Sequence, residues 1–251
     1  MHSPSTMIAL GLRLAELTRV EGIAFRLFGS CAVYIKCTES PDILERNNRP
    51  IKDVDAVIAR RDLYTLRKMF RDEGWYEEVE VTALTDGGRL RFRCDEHDAT
   101  LDVIVDCLQF NQTLWLNDRL LVDWPTISVT DLLLSKFQIA NLATSDIIDV
   151  AALLNQFKTD QSDEAGICLQ RICSICGRSW RWHQAILATC AKLGSDTIFD
   201  AIMLSIEQRT TIAMRVNEIR DAVRSTPKSF GWVTRNLIGE RIPWVTPVET
   251  F

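Results

Sequence analysis

The chain has no long apolar run. No stretch reaches the roughly 18 residues that a membrane-crossing helix needs, and the apolar segment after the N-terminus is broken by Arg13 and Glu16. Residues Met1 to Thr6 contain no lysine or arginine ahead of it. A signal peptide and a membrane partner are therefore not expected, and a cytoplasmic location follows as the default. An excess of basic residues is also missing: 29 Lys and Arg stand against 34 Asp and Glu, for a net charge of −5. That balance argues against a broad electrostatic footprint for duplex nucleic acid. It leaves small-molecule substrates, or RNA held in a local patch. Cysteine is too sparse for a disulfide scaffold, with eight in 251 residues, and reduced thiols are expected. Internal repeats and low-complexity tracts are absent.

What is there suits a globular protein. The chain is 47% hydrophobic and 25% charged, and it is long enough to bury one large or two small cores. Ile8, Leu10, Leu14 and Leu17 predict an amphipathic helix over 7–20. An apolar strand over 23–28 runs into Gly29-Ser30, and a helix follows over 31–37. Residues 38–52 are polar, contain two prolines and read as a loop. A strand over 54–59 and a helix over 61–72 come next, the helix stopping at Gly74. Alternating polarity over 77–84 and 88–94, around Asp86-Gly87-Gly88, predicts a hairpin. A strand over 99–105 completes this half. Thr130-Asp131 is expected to cap a helix from Leu132 to Ala143, and Ser145-Asp146 opens another through Leu154. Beyond 160 the periodicity is helical to about Leu237, and Pro243 to Pro247 reads as extended. The simplest organisation is α+β, with a mixed α/β domain over 1–125 and a helical domain over 126–251.

Three acidic residues around the Gly-Ser turn carry the chemistry. Gly29 lets the backbone approach a phosphate with no Cβ in the way. Ser30 offers a hydroxyl and an N–H at a helix start, where the dipole favours an anion. Asp53 and Asp55 lie two apart at the start of a strand, so both side chains share one face. Carboxylates that close repel and are best tolerated with a divalent cation between them. Asp102 lies inside Leu-Asp-Val-Ile-Val, a strand that should be buried, where a metal or an arginine must compensate its charge. Asp106, at that strand's end, is the rival third ligand. Three carboxylates beside a phosphate-sized turn match a two-metal phosphoryl-transfer site.

This pattern resembles the nucleotidyltransferase superfamily, the DNA-polymerase-β-like fold. Arg49-Pro50-Ile51-Lys52-Asp53-Val54-Asp55 is similar to the signature of a small bacterial branch that includes the AbiEii-type toxins. Leu134-Ser135-Lys136-Phe137, followed by Asp146-Ile147-Ile148-Asp149-Val150, resembles that branch's helical motif, with Ser145 where an arginine often precedes the aspartate. The likeness covers residues 23 to about 154. It implies a nucleotidyltransferase-type mixed sheet with flanking helices and a C-terminal helical domain. It implies transfer of an NMP from an NTP to a hydroxyl acceptor on RNA or tRNA, protein or a small molecule, as in a toxin paired with an antitoxin. The alternative is a catalytically inactive nucleotide-binding or regulatory module of the same fold. By this resemblance Asp53, Asp55 and Asp102 hold Mg²⁺ or Mn²⁺. Gly29, Ser30, Lys136, Asp146 and Asp149 form the nucleotide site, and the helical half closes the cleft.

Other signals have plainer readings. Arg89, Arg91 and Arg93 point the same way from one strand. They either pair across the hairpin with Glu78 and Glu80 or contact a phosphate-rich acceptor. Cys168, Cys173, Cys176, His183 and Cys190 could be a metal set, but their helical spacing favours buried thiols. Trp180 and Trp182, set among Arg178, Arg181 and His183, read as packing residues ahead of base-stacking ones.

Overall fold

Ser3 opens the first helix: its hydroxyl accepts from the Thr6 N–H at 3.2 Å, and Pro4 occupies the first turn, where no amide partner is lost. The computed structural model describes residues 3–38, 42–96 and 98–241. In chain order its elements begin with α1 (Pro4–Val20), β1 (Arg26–Phe28), α2 (Gly29–Lys36), α3 (Asp42–Arg46), β2 (Val54–Ile58) and α4 (Leu63–Asp72). Next come β3 (Tyr76–Glu77), α5 (Val79–Leu84), β4 (Arg89–Cys94), β5 (Ala99–Val105), β6 (Cys107–Gln109) and β7 (Thr113–Trp115). Then follow α6 (Val129–Phe137), α7 (Thr144–Gln156), β8 (Thr159–Asp160), β9 (Ile167–Cys168), α8 (Leu169–Arg178), α9 (Trp180–Leu193), α10 (Ile206–Ser225) and α11 (Phe230–Ile238). The class is α+β with a mixed sheet. Among the described residues, no helix is long and apolar enough to cross a membrane. The Pro243–Pro247 stretch lies outside the described residues.

The chain divides into two compact units. The first comprises residues 1–36, 50–108 and 114–128; the second comprises 37–49, 109–113 and 129–251. The sequence reading drew one division near 125. The structure divides at 128 and also assigns two short segments of the N-terminal half to the helical unit.

The first unit is built on a five-stranded sheet in the order β1-β2-β5-β4-β3. Only the β2–β5 pairing is parallel; β1–β2, β5–β4 and β4–β3 are antiparallel. Strand alternation sorts the side chains cleanly. Leu27, Val54, Ala56, Ile58, Leu90, Phe92, Leu101, Val103 and Val105 fill one face and are buried. On that face Phe92 meets Phe70 of α4 edge-on, with ring centres 5.0 Å apart. Gly11 lets α1 run close against Leu27, since an added Cβ would lie 3.2 Å from Leu27 Cδ1.

Two sequence expectations fail here. Residues 79–84 form helix α5, not a strand. The Val-Glu-Val alternation suits either state, and local bonds decide: the Thr85 hydroxyl donates to Val81 O at 2.9 Å, and Thr82 donates to Glu77 at 2.6 Å. Only Tyr76 and Glu77 pair with β4. The 38–52 loop contains α3, whose Ile43 and Leu44 are buried within the helical unit.

In the second unit, α6 ends at Phe137, short of the expected Ala143. Thr130 and Asp131 lie inside its first turn instead of capping it. Thr130 Oγ1 accepts from the Cys168 N–H at 2.8 Å, and Asp131 pairs with Arg171 at 3.2 Å. Ile212, Val216, Ile219 and Val223 bury one stripe of α10, which starts from a Ser205/Gln208 capping box.

Candidate functional site

The acidic residues come together on the other face of the sheet. Strand register sets Phe28, Asp55, Asp102 and Arg91 in one row across β1, β2, β5 and β4. Asp53 stands two residues before Asp55, and Arg89 two before Arg91, on the same side. Asp53, Asp55 and Asp102 each offer a carboxylate oxygen within 4.8 Å of the others. Asp102 is buried; Asp53 and Asp55 are half-buried. Like charges directly opposite on paired strands destabilise a sheet, so this row calls for a cation.

Gly29 forms the wall beside Asp55. Its φ is +68°, a left-handed conformation that favours glycine, and an added Cβ would collide with Asp55 Oδ2. Ser30 follows in the first turn of α2 and is buried. The turn therefore packs directly against Asp55, a closeness that sequence spacing alone could not establish.

Asp102 already has partners. Arg89 donates to it through Nη2 at 2.7 Å and Nε at 3.3 Å; Arg91 donates through Nε at 2.9 Å and Nη2 at 3.2 Å. Burial works to raise the Asp102 pKa, and the bonds from Arg91 and Arg89 overcome it, leaving the carboxyl below its usual range. Asp53 moves the opposite way: burial and then the charge of Asp102 push its pKa up, with Arg89 and Arg91 opposing. Three carboxylates against two guanidiniums leave one formal negative charge at the site.

The sequence reading gave these arginines other partners. Only Arg93 pairs with Glu78; Glu80 is exposed on α5. The signal was present in the requirement that an arginine or a metal compensate Asp102, together with the Arg-x-Arg alternation of β4. Asp106, the rival ligand, is turned elsewhere. It accepts from the Arg60 N–H at 2.9 Å and meets Arg60 Nε at 3.4 Å.

The helical unit holds a second charged cluster. Lys136 Nζ lies 2.8 Å from Asp146 and 2.9 Å from Asp149. Arg49 grips Asp149 in a two-pronged bond at 2.8 and 2.9 Å. Burial works to lower the Lys136 pKa, and Asp149 and Asp146 outweigh it, so the ammonium is held charged. Asp146 also receives the Ala143 N–H at 3.2 Å at the start of α7. Lys136, Asp146 and Asp149 thus converge, with charges balanced among themselves and Arg49.

The cysteines do not gather around a metal. Among the described residues, the aspartate trio is the one group of three or more His, Cys, Asp or Glu with ligand atoms that close. All eight thiols are free, and Cys168 caps α8 through its sulfur, which accepts from the Arg171 N–H. Burial pushes the Cys190 thiol up to about 12. Trp180 and Trp182 are buried, and their indole N–H groups donate to Asn236 and to the Thr113 carbonyl. No family model, curated protein or solved structure matches the chain.

Proposed function

We propose that the chain is a Mg²⁺- or Mn²⁺-dependent nucleotidyltransferase that moves an NMP from an NTP to a hydroxyl of RNA, protein or a small molecule. One observation carries this reading: Asp53, Asp55 and Asp102 converge within 4.8 Å beside a glycine turn packed against Asp55. The donor set is all oxygen, which suits a hard divalent cation. Metal bound there supplies electrostatic stabilisation of the entering and leaving oxygens in an in-line displacement at the α-phosphorus. Asp53, Asp55 and Asp102 are the residues that would hold it. Gly29, with no Cβ, lets the turn pack against Asp55, and Ser30 offers its hydroxyl and amide to a phosphate held there. Arg89 and Arg91 stand ready for phosphate oxygens, since each guanidinium presents five donors in a fork that matches them.

A second reading has its own support. Asp102 is neutralised by two guanidiniums without any metal, as a non-catalytic nucleotide-binding module would tolerate. The two readings part in one experiment. Labelled NTPs are incubated with the full chain, Mn²⁺ and a mixture of RNA and small hydroxyl acceptors, with binding followed in parallel by calorimetry. The enzyme reading expects metal-dependent nucleotide binding and label transfer, both lost in the Asp53→Ala, Asp55→Ala double variant. Binding without transfer selects the module. Nucleotide binding unchanged in the double variant removes the site from both.

A further inference from the structure

Asp102 raises a difficulty for any metal site that includes it. A carboxylate has about four lone-pair positions. Arg89 and Arg91 direct four N–H groups at the two oxygens of Asp102, at 2.7 to 3.3 Å. Asp102 is almost wholly buried, at 2% exposure. As it stands, its coordination capacity is taken up by the arginines. Asp53 and Asp55 are the half-buried members of the trio.

The arginines are placed to be drawn away. Their side chains are 31% and 28% exposed, so each is partly open to solvent while holding Asp102. Both also lie close enough to Asp53 to act on its charge. A polyphosphate bound over Asp53 and Asp55 would therefore meet both guanidiniums. Arginine binds phosphate oxygens as it binds a carboxylate, in paired N–H bonds. A nucleotide triphosphate brings several such oxygens; a bare metal ion brings none.

We propose that Arg89 and Arg91 gate the third metal ligand: the triphosphate of the incoming nucleotide takes over their N–H groups and releases Asp102 to the metal. This rests on the aspartate trio being the metal site of a triphosphate-using protein. Metal alone engages Asp53 and Asp55, and metal with polyphosphate engages all three. The gate couples the two ligands, so a full set of carboxylates assembles only when there is a phosphate to transfer. No bond is made or broken in the gate; only hydrogen bonds and one coordination bond exchange.

Calorimetric titration of the full chain tests this with two ligands, Mn²⁺ alone and the preformed Mn²⁺–tripolyphosphate complex. Tripolyphosphate carries the phosphates common to every NTP. The Asp102→Asn variant should weaken the complex by about tenfold, within the usual span of coupling effects, and should change the affinity for Mn²⁺ alone by less than about twofold. On an Arg89→Gln, Arg91→Gln background the gate is gone. There Asp102→Asn should weaken Mn²⁺ alone by about tenfold too. Thermal melts show that each variant is folded, and circular dichroism at the titration temperature excludes any that is not. Equal weakening of both ligands by Asp102→Asn in the parent chain means that Asp102 is never withheld, and overturns the gate. No weakening of either means that Asp102 is never a ligand, and also overturns it. Failure of the site reading looks different: Asp53→Asn with Asp55→Asn then leaves every affinity unchanged.

Discussion

Gly29 shows how much one missing methyl group can decide. Its φ of +68° and the collision that a Cβ would make with Asp55 are independent demands for glycine at the same position. A non-glycine residue in the left-handed region costs about 1–2 kcal/mol, and relief of the collision must move Asp55. Gly29→Ala is therefore expected to lower stability by about 1–3 kcal/mol and to weaken Mn²⁺ binding beyond what the lost stability accounts for. Chemical denaturation and metal titration of the same preparation separate the two effects. This residue was legible in the sequence as a turn glycine, because an apolar strand runs into it. Its contact with Asp55 was not legible, because that depends on the β1–β2 pairing across the long 38–52 segment. Asp102 was read correctly as needing compensation. Its partners were misassigned because the Arg-x-Arg strand had been matched to the wrong neighbour.

At the scale of elements, the misassignment has a physical cause. Val79-Glu80-Val81 alternates like a strand, yet residues 79–84 bury nothing and coil into α5. Period-two patterning identifies a strand only when one face has a core to meet. β4 and β5, which do meet one, were read to within a residue or so of their observed ends. The cluster between α6 and α7 teaches the opposite lesson. Lys136, Asp146 and Asp149 are marked by the resemblance to a family's helical motif, but Arg49 reaches the group from a segment that the sequence reading places in the other half. The Asp149 side chain is fully buried, while that of Asp146 is 17% exposed. Asp149→Asn leaves Arg49 and Lys136 short of a buried counter-charge, a defect that typically costs about 3–5 kcal/mol. Asp146→Asn should cost about 1 kcal/mol or less. Urea unfolding midpoints of the two variants check the ordering, and equal losses would contradict this account of the cluster.

For the molecule as a whole, acid sensitivity should trace in part to His183. Burial, with the nearby Lys228 charge adding to it, pushes its pKa down to about 4, and its Nδ1 has no hydrogen-bond partner among the described residues. The ring packs edge-on against Trp232 at 5.1 Å. An unfolded histidine titrates near about 6.5, so below that pH the unfolded chain takes up the proton first. Stability is then unaffected by this group above about pH 6.5 and falls as pH drops toward 4. Melting curves across that window should show a shallower decline for His183→Phe than for the parent chain. The division into units was only partly legible at this scale. The change from mixed to helical patterning is visible near 125–130, but no local signal marks 37–49 and 109–113 as belonging with the helices, since membership is decided by which core receives Ile43 and Leu44. The charged row across the sheet has a consequence for assembly as well as chemistry. A one-residue slip of β5 would turn Asp102 into the apolar layer and set Leu101 or Val103 against the arginines. An unpaired carboxylate in that layer is costly enough to reject the slipped arrangement. The same three carboxylates and two guanidiniums thus act as a parity check on strand alignment, and a folding chain that miscounts by one cannot close its sheet.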